Sequence, residues 1–468
     1  MRRTLVEAIA AQRLKPNQQL PASRILAQQL GIARNTVTAV YEDLATRGLL
    51  VPVKRRGYFV SGAAPSLPNA VEDAPRPPPP ADGVDWSRKL VTEVAAWRNI
   101  TKEADWQSYP YPFLYGQVDP ALFPLAAWRT ASRDTLGRAA LNWWAADSAT
   151  GDDELLVDQI CRNILPRRGV FARPEEVLVT LGAQEGLYLL SRILVRQGDI
   201  IGIENPGYTD TRNIFRLSAG AVRDLPVDDQ GVRVGAGFDG VKLAVVTPTC
   251  QCPTGFSLSA ERRAWLLDWA SRTDGLLIED DFEGEIVADT GATAMKSSDA
   301  AGRVIYLGTF SKVIAPGMRL GYMVGPPALI AEARALRRLM HRSAPLNNQR
   351  LTALFMVEGY YHGLARQLRS EIQRRREHAV SLLSSGLPEL EVVGGLSGSA
   401  LWLRCPEGLD IRRFEAASRA HGVLFDDGDP FFAAPSERAH IRLGLSTIAY
   451  DRIAPGLDAL AAALAESS

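Results

Sequence analysis

The chain has 468 residues, more than one hydrophobic core usually holds, so two or more domains are expected. Its hydrophobic content of 46% and charged content of 23% are ordinary for a globular chain, and no apolar run approaches the ~20 residues that span a bilayer. The net charge of zero hides an asymmetry: residues 1–61 hold ten Lys/Arg against three acids, so a head of +7 precedes a remainder of −7, the pattern of a nucleic-acid-binding module on an acidic body.

The start, Met1-Arg2-Arg3, lacks the apolar stretch of a signal peptide, and cytoplasmic residence is expected. Four cysteines (Cys161, Cys250, Cys252, Cys405) do not make a disulfide framework. Cys250 and Cys252 have no second Cys/His pair at zinc spacing, so no metal site is expected.

In chain order, apolar spacing predicts helices over Arg3–Gln12, Ala22–Leu30 and Arg34–Arg47, the last two joined by a tight Gly31-Ile32-Ala33 turn. Leu49–Val53 and Tyr58–Val60 read as a two-stranded wing with Lys54, Arg55, Arg56 and Gly57 at its tip. The third helix offers Arg34, Asn35, Thr36 and Thr38 near its N-terminal end, the part that enters a major groove. Arg and Asn suit guanine and adenine edges, and the basic tip suits phosphates. The strings Leu20-Pro21-Ala22-Ser23-Arg24, Leu30 to Val37, Tyr41-Glu42-Asp43-Leu44 and Gly57-Tyr58-Phe59-Val60 closely resemble the GntR-type winged helix-turn-helix. That resemblance puts Arg24, Arg34, Asn35, Thr38 and Gly57 against DNA. Beside that pattern the first helix is short, and a few residues are expected to be missing before Met1.

A proline-rich stretch, including Pro75-Arg76-Pro77-Pro78-Pro79-Pro80, cannot bury a core and reads as an extended linker over 62–85. It separates a head, 1–61, from a body, 86–468. In the body, short apolar runs (Val177–Thr180, Ile200–Ile203, Leu243–Val246, Leu276–Ile278, Val304–Leu307) alternate with amphipathic stretches such as Ala260–Ser271. This predicts an α/β domain with a mostly parallel sheet covered on both faces.

Chemistry concentrates after the last of these runs, in Gly308-Thr309-Phe310-Ser311-Lys312 through Arg319. A lysine there, between hydroxyls and an arginine, offers an amine for a Schiff base and donors for a phosphate. Gly182-Ala183-Gln184 opens a helix whose N–H groups attract phosphate. Asp280, at a strand end, suits a pyridine nitrogen, and Tyr208 suits stacking on a ring face. Taken singly, each is more often an ordinary turn, strand-end carboxylate or packing aromatic.

These segments, with Gln117-Val118-Asp119, Leu122-Phe123-Pro124 and Glu204 to Tyr208, resemble fold-type I aminotransferases. With the head included, the chain resembles MocR/GabR-type transcriptional regulators. The resemblance implies a fold-type I pyridoxal-phosphate-dependent transferase domain with a smaller C-terminal α+β subdomain. It implies that Lys312 forms the internal aldimine and Asp280 pairs with the pyridine nitrogen. Thr309, Ser311, Arg319, Ala183 and Gln184 would hold the phosphate, and Arg442 would clamp an effector carboxylate. It further implies a head-to-tail homodimer whose heads bind repeats in a double-stranded operator.

Two positions depart from the family. Phe282 stands where a tyrosine, and Cys252 where an asparagine, would contact the cofactor's phenolic oxygen. Both losses count against efficient turnover and leave binding intact. The expectation is therefore a DNA-binding regulator, not an enzyme, that senses a small amine or amino acid as an external aldimine. The alternatives are a working aminotransferase with an accessory head, or a body that binds a ligand without the cofactor. The aromatics Trp106, Tyr109, Tyr111, Phe113 and Tyr115 are expected in the pocket or in the core.

Overall fold

The computed structural model describes residues 1–62, 84–145, 151–218, 220–287 and 293–467. The expected linker lies outside them from 63 to 83. Two compact units emerge, Met1–Thr92 and Glu93–Ser468. Trp86–Thr92, expected at the start of the body, therefore belongs with the first unit.

In that unit, α1 (Arg2–Ala10), α2 (Ser23–Leu30) and α3 (Arg34–Thr46) precede a hairpin of β1 (Leu50–Val53) and β2 (Gly57–Val60). The helix expected to run to Gln12 stops at Ala10, and Gln12 takes a left-handed φ of 54°. Gly31 caps α2 at φ 65°, a conformation glycine enters without a Cβ clash, which turns the chain sharply into α3. Val37, Tyr41 and Leu44, one face of α3, pack with Ile9, Leu20, Ala27, Leu50 and Val60. The Tyr41 hydroxyl donates to the Pro21 carbonyl (3.0 Å), so this buried phenol is satisfied.

The second unit holds two sheets. The larger has β4 (Val177–Thr180), β5 (Ile200–Asn205), β6 (Ala221–Asp228), β7 (Gly231–Val232), β8 (Val241–Val246), β9 (Leu276–Asp280), β10 (Val304–Thr309) and β11 (Gly321–Val324). Their spatial order is β4-β11-β10-β9-β8-β5-β6-β7. The five sequence-expected strands are all present. The run β10-β9-β8-β5-β6 is parallel, while β11 is antiparallel to both β10 and β4, and β7 to β6, so the sheet is mixed at its flanks.

Alternate residues serve opposite faces, as a strand requires. Leu243, Val245 and Ile278 pack with Leu187 and Leu190 of the helix Ala183–Leu194. Ala244, Val246 and Leu277 pack with Leu266 and Trp269 of the helix Ala260–Thr273. Burial of both faces explains why these strands read as unbroken apolar runs.

The smaller sheet has the order β12 (Glu391–Val392), β13 (Ala400–Arg404), β15 (His440–Gly444), β14 (Val423–Asp427), β3 (Tyr111–Phe113). Here β3, from the start of the unit, pairs in parallel with β14 near its end. Phe113 is wholly buried among Phe414, Leu443 and Leu460. This anchoring carries the next residues, Tyr115 and Gly116, to the mouth of the large sheet.

Candidate functional site

The C-terminal ends of parallel strands are where a doubly wound sheet opens a crevice. Here β4 leads to Gly182, β8 to Cys252, β9 to Asp280 and β10 to Lys312. These residues line one cavity of about 400 Å³, shared with Ala183, Gln184, Tyr208, Phe282, Thr309, Ser311, Arg319 and Arg442. The residues expected to hold the cofactor and the effector anion therefore all line a single cavity.

Lys312 Nζ sits 3.7 Å from the centre of the Tyr115 ring. Burial, reinforced by the charges of Lys102 and Arg442, pushes its ammonium down to about 7, although Glu283 opposes the shift. A substantial neutral fraction, the nucleophilic form, is thus present at physiological pH.

Asp280 is 7% exposed, and its Oδ1 has no hydrogen-bond partner. Burial first, and then the neighbouring Asp281, raise its carboxyl to about 7. A buried oxygen with nothing to accept is costly, and a protonated ring nitrogen would satisfy it.

At the other end of the cavity, Gly182 precedes the helix Ala183–Leu194 at φ 94° and no side chain caps that helix. A Cβ on Gly182 would stand 3.5 Å from Arg319 Nη2, and one on Gly321 only 2.8 Å from Gly182 Cα. Close approach requires glycine at 321, and the positive φ favours it at 182. Thr309 donates to Ser311 Oγ (3.0 Å) and accepts from the Ser311 N–H (3.1 Å). Free helix N–H groups, two hydroxyls and a guanidinium converge on one spot, a cradle for a phosphate. Gln184 and Tyr208 both donate to Asp210 Oδ2, at 3.0 and 2.9 Å, which fixes the Tyr208 ring at the cavity wall.

Arg442, on β15, is 3% exposed and already paired. Its Nη2 and Nε donate to one oxygen of Asp426, at 2.8 and 3.1 Å. Its Nη1 meets Cys252 Sγ at 3.9 Å. Phe282 packs edge-on to Tyr115, with ring centres 6.4 Å apart. Burial lifts the Cys252 thiol to about 12, leaving an inert apolar wall there.

Of the five aromatics, Tyr115 alone lines this cavity; Phe113 is core, and Tyr111 packs against that core. Sequence reasoning missed Lys102, Asp210 and Asp426. Lys102 lines the cavity, while Asp426 lies behind it, set opposite Arg442 by the antiparallel pairing of β14 with β15, which no local pattern announces. Asp210, two residues after Tyr208, was findable from that spacing.

In the head, Arg24, Arg34, Asn35 and Thr36 are exposed. Thr38 is half-buried, its hydroxyl donating to the Arg34 carbonyl (3.1 Å). Lys54, Arg55, Arg56 and Gly57 are exposed at the hairpin tip, where Arg55 takes φ 65°.

Comparison with known proteins bears on both units. Residues 155–454 match the aminotransferase class I and II family, and residues 2–60 match the gntR family of bacterial regulatory proteins. The transcriptional regulator TauR of Rhodobacter capsulatus is 39% identical, over 99% of this chain and 96% of its own. The probable rhizopine catabolism regulatory protein MocR of Rhizobium meliloti is 30% identical, over 99% and 93%. The chain belongs to the MocR-type regulators.

Among solved structures, an archaeal alanine:glyoxylate aminotransferase superposes with a TM-score of 0.75 at 26% identity, covering 82% of this chain and all (100%) of that one. The α-aminoadipate aminotransferase LysN of Thermus thermophilus gives 0.74 at 25%, covering 82% and 99%. This MocR-type chain is thus a transcriptional regulator carrying an aminotransferase-like domain, and its fold family depends on pyridoxal phosphate. Among the described residues, no helix is long and apolar enough to cross a membrane.

Proposed function

We propose that this MocR-type regulator binds operator DNA through α3 and the wing, holds pyridoxal phosphate in the body, and answers to a small amine or amino acid. The observation that carries the cofactor reading is the unsatisfied Oδ1 of Asp280 in the same cavity as the Lys312 amine and an anion cradle. Pyridoxal phosphate, bound covalently through a lysine, supplies an imine that a free amine can displace. Lys312 would carry that link, its depressed pKa making it a nucleophile at neutral pH. Asp280 would accept a hydrogen bond from the pyridine nitrogen and keep it protonated. Gly182, Ala183, Gln184, Thr309, Ser311 and Arg319 would hold the phosphate, and Tyr208 would lie against the ring. Arg442 would take an anionic group on the effector.

In this reading Phe282 offers the phenolic oxygen no donor and Cys252 at most a weak thiol one, which favours a sensor over a turnover enzyme. On the DNA side, Arg24, Arg34, Asn35, Thr36 and Thr38 would read or orient the operator. Lys54, Arg55, Arg56 and Gly57 would meet phosphates. The family pattern supports a head-to-tail homodimer acting in the cytoplasm on repeated half-sites.

The test is the visible absorbance of purified wild-type and Lys312→Ala protein after incubation with pyridoxal phosphate and gel filtration. The wild type should keep a visible band and the variant lose it. A wild type that keeps no band would overturn the cofactor reading.

A further inference from the structure

Three cationic side chains surround one aromatic ring in this cavity, and one of them, Lys102, has no role above. The ring of Tyr115 has Lys312 Nζ at 3.7 Å, Arg442 Cζ at 4.0 Å and Lys102 Nζ at 5.9 Å from its centre. The Tyr115 backbone ties the group together. Its N–H donates to Asp426 Oδ2 (3.4 Å), the oxygen that also accepts from Arg442, while its carbonyl accepts from Lys102 Nζ. Gly116 follows at φ 79°, and a Cβ there would lie 3.0 Å from Lys312 Nζ and 3.3 Å from Lys102 Nζ. The bare α-carbon leaves the space between the two amines open.

Arg442 presents only part of its fork. Asp426 takes the Nε–Nη2 edge, so an effector can meet only the Nη1–Nη2 end, where Nη1 has nothing nearer than the Cys252 sulfur at 3.9 Å. Asp426 also offsets the charge of Arg442. A second cation is then needed for the cavity to favour an anion, and Lys102 is the one that lines it.

We propose that Lys102 Nζ and the free end of Arg442 together form the anion subsite of the effector pocket, so that the effector is a primary amine bearing an oxyanion held between two cations. This rests on the cofactor reading above, since the effector's amine is taken to exchange at Lys312.

The test is a spectral titration of cofactor-loaded wild type, Lys102→Gln and Lys102→Arg with three amines: propylamine, 3-aminopropanoate and 2-aminoethanesulfonate. Gln keeps a donor for the Tyr115 carbonyl and removes the charge. The readout is the affinity for each anionic amine relative to propylamine. In Lys102→Gln that ratio should fall about tenfold or more, the worth of one charge-assisted hydrogen bond, for at least one of the two anions. Lys102→Arg should restore most of it. The anion that shows the fall identifies the oxyanion class. An unchanged ratio, or a loss that Arg does not rescue, would overturn the role of Lys102 while the visible band persists. A wild type without the band would remove the cofactor reading, and this proposal with it.

Discussion

At the scale of single residues, the pocket stores unfavourable electrostatics that a cofactor would relieve. Asp280 is buried beside Asp281 with one oxygen unsatisfied, and its carboxyl is raised to about 7. A carboxyl that titrates near 3.8 when unfolded and near 7 when folded binds more protons in the folded state between those values. The stability of the cofactor-free protein therefore falls as pH rises through that window, by on the order of 4 kcal/mol at most. Asp280→Asn removes this penalty. The cofactor-free variant should melt at a higher temperature than wild type at pH 8, and the difference should shrink toward pH 4. The same variant should lose pyridoxal phosphate more readily on dialysis. Melting curves with and without cofactor check both halves, and a variant less stable than wild type at pH 8 would contradict the assignment.

At the scale of elements, the proposed DNA contacts of the head divide into reading and gripping. Arg34 and Asn35 open α3, while Lys54, Arg55 and Arg56 crown the β1–β2 turn. Arg34→Ala should cost about 1–3 kcal/mol on a preferred operator and little on random duplex. Replacing Lys54, Arg55 and Arg56 together by Ala should weaken both alike and reduce the salt slope by about 3. Binding isotherms over a salt series distinguish the two patterns.

Both arrays were legible in the sequence because a helix N-terminus and a hairpin tip are local features. The strands β4, β5, β8, β9 and β10 were legible for a related reason, since burial of both faces leaves an apolar run. The antiparallel insertion of β11 was not, because Gly321–Val324 follows Lys312 so closely that it reads as part of the same motif. The pairing of β3 with β14 was equally hidden. It joins Tyr111–Phe113 to Val423–Phe425 across most of the body, and contacts so distant in sequence leave no periodic trace. Asp426 was hidden by a like pairing, of β14 with β15, and no motif marks Lys102, whereas Lys312, Asp280 and Arg442 each sit in a motif that marks them.

At the scale of the whole molecule, the sequence puts a basic segment, 1–61, before an acidic remainder, and the chain forms two compact units, Met1–Thr92 and Glu93–Ser468. On the proposed function, a chemical event in one unit changes the DNA affinity of the other. Such coupling requires the amine to bind two states of the protein unequally. Couplings of about 1–3 kcal/mol are usual, which corresponds to roughly 5- to 150-fold in affinity.

The most direct measurement is the affinity of cofactor-loaded protein for an operator selected from random duplexes, with and without a saturating responsive amine. It should be made on wild type and on Lys312→Ala. The account predicts that the amine changes wild-type affinity about tenfold or more and leaves Lys312→Ala unmoved. An equal response in both proteins, or none in the wild type with an amine that shifts its spectrum, would contradict it.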